Sequence, residues 1–290
     1  MPGIRDDEPR QAPQGSAAAP EVIAEIRSLH DRIDELHHLV EQRLSTEGMH
    51  AGEWLEKHAG TVLIRPELPA WRRRTQGELR WPVTLVTAVG IALQLAVPER
   101  LLLISPAWIF PAAQGLLLVV LVTVNPRRID RESMVMRSLS LVLAALLSLA
   151  NGWSVATLAV GITRGTMGSN PGQLLITGAF IWLTNIVVFA LWYWEFDRGG
   201  PVARALNLKN RYPDFQFVQM VSPPDLVPPN WEPGFFDYLY LAFTNATAFS
   251  PTDVMPMSRW AKIAMTVQSL ISIVTVVLVV SRAVNILPNG

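Results

Sequence analysis

The chain has 290 residues, half of them hydrophobic, and only 17% of them are charged, whereas soluble domains average about 25%. Its 24 basic and 24 acidic residues balance, so no net positive charge favours nucleic acid as a partner. The absence of cysteine excludes disulfides and cysteine-bound metals. The apolar composition leads us to expect a membrane protein, and we expect it to hold no cofactor and no metal.

The first 60 residues precede the apolar part of the chain. Residues 1–20 are rich in Pro and Ala and are predicted to be disordered. Residues 21–60 are predicted to contain a cytoplasmic amphipathic helix with a heptad repeat of hydrophobic positions. These positions are Val22, Ile26, Leu29, Ile33, Leu36 and Val40. About three heptads are marginal for an independent coiled coil, so the helix either associates with other copies into a homo-oligomer or packs on its own protein.

A basic linker at 61–80 carries Arg72, Arg73, Arg74 and Arg80 and leads into a transmembrane domain at 81–290. Five apolar runs there approach the roughly 20 residues that a helix needs to cross about 30 Å of hydrocarbon. They lie near 81–97, 108–124, 138–162, 172–194 and 263–287. Because backbone polar groups in lipid must be satisfied within the segment, the predicted fold class is an all-α integral membrane protein with five transmembrane helices.

Basic residues are distributed unevenly between the loops. Several of them precede the first run, follow the second run and follow the fourth run, whereas the loops in between contain only Arg100 and Arg164. The positive-inside rule then places the N-terminus in the cytoplasm and, with five crossings, the C-terminus outside. The expected location is the plasma membrane, with several passes.

The segment at 235–249, "FFDYLYLAFTNATAF", is apolar and aromatic but too short to cross a bilayer. Pro251 and Pro256 terminate it, and Ser258 is a candidate N-cap for the last run. This pattern predicts a re-entrant, pore-like helix that enters the membrane and returns on the same side.

This layout resembles the pore loop and inner helix of tetrameric, potassium-channel-like cation channels. Thr247 matches the threonine that ends the pore helix, and Asp253 matches the aspartate after the filter. The Gly-Tyr-Gly filter of that family falls here on Ser250, Pro251 and Thr252, which lack the backbone freedom of glycine, so no potassium filter is expected. The pore-loop candidates are Thr247, Ser250, Pro251, Thr252 and Asp253.

The last 200 residues or so also resemble a family of uncharacterised bacterial membrane proteins, known only as a domain of unknown function. The likeness is carried by "FALWYWEFDRGGP" at 189–201, "FFDYLYLAFTNATAFSPTDV" at 235–254 and "SRAVNIL" at 281–287. It implies a multi-span fold in the bacterial cytoplasmic membrane and implies no established activity.

Polar residues also lie inside the apolar runs. In the last run they form a stripe on one helix face, made of Gln268, Ser272, Thr275 and Arg282. The stripe either lines water or forms hydrogen bonds between helices, with Arg282 near the outer interface. The membrane-embedded amides Asn151, Asn185 and Asn245 need partners, and we expect the first two to bond neighbouring helices, with Asn245 or Thr247 as candidate partners.

Two functions are compatible with these features. The first is an oligomeric ion channel of low selectivity, in which Thr247, Ser250, Thr252 and Asp253 form the mouth and inorganic ions are the ligands. The alternative is a non-conducting membrane scaffold or partner-binding protein. We do not expect an enzyme, because the acidic pairs Glu195 with Asp197 and Asp225 with Glu232 match no known catalytic arrangement.

Overall fold

The structure, a computed structural model, describes residues 69–129, 134–167, 170–207, 212–247 and 253–286, together with five residues near the N-terminus. The chain divides into two units, Met1–Glu67 and Leu68–Gly290. In the first unit the described residues are helical and exposed; they are Arg32, Asp34, Glu35, His38 and Gln42. The predicted heptad positions Val22, Ile26, Leu29, Ile33, Leu36 and Val40 lie outside the described residues, as does the predicted disordered segment 1–20.

The second unit is built mainly from helices. Its described α-helices are α1 (Trp81–Leu95), α2 (Ile109–Val124), α3 (Met134–Thr163), α4 (Pro171–Phe196), α5 (Pro201–Ala205), α6 (Phe235–Ala246) and α7 (Arg259–Asn285). By length and composition, α3, α4 and α7 can each cross a membrane, whereas α1 and α2 are apolar but shorter. The predicted helical architecture is therefore confirmed, and its three long apolar helices are compatible with a membrane protein.

Local capping explains where several helices begin. The side chain of Asn170 accepts a hydrogen bond from the Gln173 backbone N–H at 3.1 Å, with Pro171 as the first residue of α4. Ser258 caps α7 in the same way through the Ala261 backbone N–H at 3.3 Å, as the sequence predicted. Such caps satisfy donors that have no partner inside the helix.

Two short antiparallel strand pairs join segments that are distant in sequence. β1 (Glu78–Leu79) pairs with β2 (Arg128–Ile129), and β3 (Phe215–Phe217) pairs with β4 (Val254–Pro256). The first pair brings the segment before α1 against the connection from α2 to α3. The second pair brings the segment after α5 against the start of α7. Together with the contacts of α5 described below, they gather the arginine-rich segments at one end of the helices, which we call the basic end.

The course of α6 follows from its contacts. Its start lies at the basic end, where the ring of Phe235 lies 5.7 Å from that of Trp194 in the last turn of α4. Its last turn lies beside Met265 and Gln268 of α7. The chain then comes back to β4, directly before α7 begins. The far end of α7 reaches Met167, where the Arg282 side chain donates to the Met167 carbonyl at 3.4 Å.

The predicted linker contributes to the second unit. Residues 70–72 form a short 3-10 helix, β1 follows, and Trp71 and Arg80 are buried. The main hydrophobic core lies towards the basic end and includes the fully buried Phe215, Tyr238 and Leu241. A second cluster at the opposite end includes Leu101, Leu158, Ile181 and Val279.

Candidate functional site

The pore-loop candidates flank a stretch that the structure does not describe. Thr247 is the C-cap residue directly after α6 and is half-buried. Its hydroxyl donates a hydrogen bond to the Thr244 carbonyl at 2.9 Å. Asp253 is half-buried before β4, and its carbonyl accepts the Val218 backbone N–H at 3.0 Å. Ser250, Pro251 and Thr252 lie outside the described residues. The described contacts of Thr247 and Asp253 are therefore bonds to backbone groups of the same chain.

A buried polar network joins α4, α6 and α7, centred on Gln268. Its Oε1 accepts the Tyr193 hydroxyl at 2.6 Å and the Asn245 Nδ2 at 2.7 Å, while its Nε2 donates to the Ala242 carbonyl at 2.8 Å. Asn245 also donates to the Met265 carbonyl at 2.9 Å. Tyr193 and Gln268 are fully buried. The network fixes the last turn of α6 within the bundle.

The polar stripe of the last helix faces the interior of the same chain. Gln268 is 0%, Ser272 1% and Thr275 5% exposed. Ser272 accepts the Asn185 Nδ2 of α4 at 3.0 Å, and Thr275 donates to the Ile271 carbonyl at 2.7 Å. The sequence left two interpretations of this stripe open: it lines water, or it forms hydrogen bonds between helices. Gln268 and Ser272 form hydrogen bonds between helices.

The embedded amides have different surroundings from those expected. Asn185 bonds Ser272 rather than Asn245 or Thr247, because α4 packs along α7 over much of its length. Asn151 is buried in α3. Asn245 belongs to the Gln268 network. The sequence thus identified polar residues that pack inside the bundle but did not identify their partners.

The outer face of α6 is aromatic. Phe236, Tyr240 and Phe243 recur at helical spacing and are each about half exposed. Phe236 contacts the Trp81 ring edge-on at 5.7 Å, and Phe243 contacts the Trp182 ring at 6.2 Å. This face of α6 suits lipid or an apolar surface better than it suits water.

A buried charge cluster at the basic end was not identified from the sequence as a unit. Asp197 is completely buried and accepts the Tyr238 hydroxyl at 2.6 Å and the Asp214 backbone N–H at 2.8 Å. A buried carboxylate needs such donors because its desolvation is costly. Asp197 therefore ties the end of α4 to the segment before β3 and to the first turns of α6.

Arg204 is the central cation of this cluster. It is 5% exposed and pairs with Glu78 at 2.7 Å, and it also donates to the Trp194 carbonyl at 2.6 Å. Burial opposes its charge, but the surrounding polar and acidic groups, Glu78 and Asp197 among them, outweigh that effect and raise the pKa of Arg204. The pair joins the segment before α1 to α5, and removing one partner of such a pair generally costs about 3–5 kcal/mol.

The turn after α4, Asp197–Pro201, has an unusual backbone. Arg198 lies in the left-handed region with φ of 53°, and its guanidinium donates to the Trp71 carbonyl at 2.8 Å. Gly200 has φ of 99°, and a Cβ there would lie 3.0 Å from the Glu195 carbonyl oxygen. The two consecutive glycines in "DRGGP" were the sequence signal for this turn.

Beside the cluster lies a cavity of about 190 Å³, which we call the basic-end cavity. The ends of α1 to α4 and the turn into α5 surround it. Its polar lining is Arg80, Asn125, Arg137, Ser140 and Glu195; its apolar lining includes Leu121, Ile129, Met134, Met136, Trp194 and Val202. Of the predicted acidic pairs, Glu195 lines this cavity and Asp197 belongs to the cluster, whereas Asp225 is exposed. No residue spacing predicts the cavity, because its lining residues come from four separate helix ends and the turn into α5.

No family model, curated protein or solved structure matches this chain. The resemblances to potassium-channel-like pore loops and to uncharacterised bacterial membrane proteins stay predictions.

Proposed function

We propose that this chain is a bacterial cytoplasmic membrane protein that crosses the bilayer five times, with α6 as a re-entrant helix. Support comes from the arginine-rich segments gathered at one end and from α6, whose start and returning β4 both lie there. At 1.5 Å per residue, α1 and α2 are about 22 and 24 Å long, which is less than the hydrocarbon thickness, so local thinning of the bilayer would accommodate them. Trp81 and Trp108 at their starts suit the membrane interface. The basic end is then cytoplasmic and the C-terminus lies outside.

We further propose that the protein is a non-conducting membrane scaffold or partner-binding protein. One observation carries this proposal: the polar side chains Gln268 and Ser272 of α7 form their hydrogen bonds inside the chain, with residues of α4 and α6. An ion pathway needs polar or charged groups that face water. Gln268 and Ser272 instead bond Tyr193, Asn245 and Asn185 in the protein interior.

The N-terminal heptad helix supplies the proposed means of association. Its hydrophobic seam would join copies into a homo-oligomer or recruit a helical partner. The described residues between the seam positions are exposed and polar or charged, as the outer positions of such a helix should be.

Low-selectivity ion conduction is the second candidate. Thr247 and Asp253 are both half-buried on either side of residues 248–252, so a carboxylate and a hydroxyl border the return from α6. In this function they would form the mouth of a pore assembled from several copies, with Asp253 attracting cations.

Ion flux into liposomes that contain the purified full chain separates the two functions. Wild type, Asp253→Ala and a matched Asp225→Ala control would be compared for cation and anion flux, with crosslinking in the same vesicles to establish the oligomer. We expect wild-type flux at the level of empty vesicles. Flux that appears in wild type and falls or changes selectivity only in Asp253→Ala would overturn the scaffold proposal and establish a pore.

A further inference from the structure

We propose that the basic-end cavity binds an anionic amphiphile: a phosphate ester or carboxylate headgroup attached to a hydrocarbon chain. The inference concerns a different part of the molecule from the re-entrant segment and does not depend on whether the protein conducts ions. It rests on the charges in the cavity, on a buried polar atom there that lacks a partner, and on the apolar walls.

The charged side chains that line the cavity favour an anionic ligand. Two guanidinium groups, those of Arg80 and Arg137, line it together with one carboxylate, that of Glu195. Glu195 is 3% exposed and already accepts a hydrogen bond from the Ser140 hydroxyl. Among the described lining residues the two guanidinium groups therefore outnumber the one carboxyl group, and an anionic headgroup would balance the excess positive charge.

Arg80 is the side chain that most needs a ligand. It is 7% exposed, and its buried Nε has no hydrogen-bond partner. Burial lowers the pKa of Arg80, an effect that the charge of Glu195 opposes. A buried polar group without a partner destabilises the folded state, so a ligand that accepts its hydrogen bond is favoured. Arginine suits phosphate and carboxylate groups because its donors form a planar fork that can bind two oxygens at once.

The apolar residues in the cavity wall indicate that the ligand has a hydrocarbon tail as well as an anionic headgroup. Leu121, Ile129, Met136 and Val202 line the cavity, and methionine side chains adapt readily to irregular apolar ligands. A narrower cavity of about 20 Å³ lies between the helices and shares the lining residues Arg80, Leu121, Ser140 and Trp194 with the first. Its lining is otherwise largely apolar and comprises Val83, Thr84, Thr87, Leu118, Leu143, Ala144 and Leu191.

The position of the cavity fits such a ligand. It lies among the helix ends at the basic end, where the proposed orientation places the cytoplasmic headgroup layer. Basic pockets between helices at this level are known to bind anionic lipid headgroups. The same chemistry would also accept a fatty acid or alkyl phosphate that arrives from solution.

The test uses the purified full chain in neutral maltoside detergent, titrated with dodecyl phosphate, with inorganic phosphate and with a dodecyl trimethylammonium salt. Thermal unfolding and native mass spectrometry report binding. The variants are Arg80→Gln and Arg137→Gln, and the matched control is Arg127→Gln, which removes an exposed arginine from the same end. Arg137 is itself exposed, so its variant keeps the test valid if Arg80→Gln does not fold.

We expect dodecyl phosphate to bind and stabilise the wild type and the Arg127→Gln control. Because each variant loses a hydrogen bond between charged groups, binding should weaken at least tenfold in Arg80→Gln and in Arg137→Gln. Equal weakening in all three variants would show general surface attraction and overturn the proposal. Equally tight binding of inorganic phosphate or of the trimethylammonium amphiphile would also overturn it.

Nanodiscs distinguish the two sources of the ligand. Wild type and Arg80→Gln would be placed in phosphatidylcholine discs with and without phosphatidylglycerol, and the lipid retained on gentle extraction would be counted. Retention of phosphatidylglycerol by wild type but not by the variant assigns the site to bilayer lipid. Dodecyl phosphate binding without such retention assigns it to a soluble amphiphile.

Discussion

The Gln268 network makes a quantitative prediction about what holds α6 in the bundle. In Gln268→Leu, the Tyr193 hydroxyl and the Asn245 amide lose an acceptor at 2.6 and 2.7 Å, and the Ala242 carbonyl loses a donor at 2.8 Å. The two contacts of Asn245 and Ala242, at about 0.6 kcal/mol each, the average between membrane helices, amount to roughly 1 kcal/mol. A Tyr193 hydroxyl buried without an acceptor adds about 1–3 kcal/mol. We therefore expect the free energy of unfolding to fall by about 2–4 kcal/mol.

The assay is reversible unfolding in mixed micelles of maltoside and dodecyl sulfate, followed by circular dichroism. Val267→Leu is the matched control, since Val267 adjoins Gln268 but is 42% exposed. It should change the free energy of unfolding by less than about 0.5 kcal/mol.

A double variant tests the reasoning more strictly. Adding Tyr193→Phe to Gln268→Leu removes the hydroxyl that lost its acceptor, so the double variant should be more stable than Gln268→Leu alone. Simple addition of two destabilising effects would refute the assignment of this hydrogen bond. A loss below about 0.5 kcal/mol in Gln268→Leu would refute the network as the anchor of α6.

Two further predictions concern close packing and pH. A Cβ at Gly178 would lie 2.7 Å from the Val279 side chain, so Gly178→Ala should destabilise the protein by about 1–3 kcal/mol in the same unfolding assay. At Gly152 an added Cβ would meet no atom of another segment within 4 Å, so Gly152→Ala should cause no loss of stability. Equal losses of stability in Gly178→Ala and Gly152→Ala would refute the close-approach argument. Burial raises the pKa of Glu232 above its ordinary value despite the nearby charge of Arg204. The protonated side chain therefore favours the folded state. This stabilisation is lost as the pH rises through the pKa that Glu232 has in the folded protein. Glu232→Gln should therefore unfold at the same temperature as wild type at low pH and at a higher temperature towards neutral pH. The control Asp225→Asn, at an exposed position, should not raise the unfolding temperature. A stabilisation by Glu232→Gln that is greatest at low pH would contradict the prediction.

Much of the architecture could be predicted because apolar runs and caps are local features of the sequence. The run predicted at 172–194 corresponds to α4 at Pro171–Phe196, and the segment predicted at 235–249 corresponds to α6 at Phe235–Ala246. Ser258 caps α7 as expected. A helix in lipid must satisfy its own backbone, so length and hydropathy alone indicate it.

The partners of the polar residues could not be predicted in the same way. Helical spacing placed Gln268 and Ser272 on one face of the last helix, but that face could equally have met water or another helix. Only packing against α4 and α6 decided that Tyr193 and Asn245 bond Gln268. The choice depends on which helices are neighbours, and spacing along one helix carries no such information.

The sequence by itself determined that this is a helical membrane protein, with arginines concentrated in alternate connections and a short apolar segment before the last helix. The tertiary structure decided what those arginines do. It buried Arg204 against Glu78 and placed Arg80 at the basic-end cavity. Glu78 and Arg204 are 126 residues apart in sequence and meet only through strand pairing and helix packing, so the electrostatics of the basic end is a property of the fold.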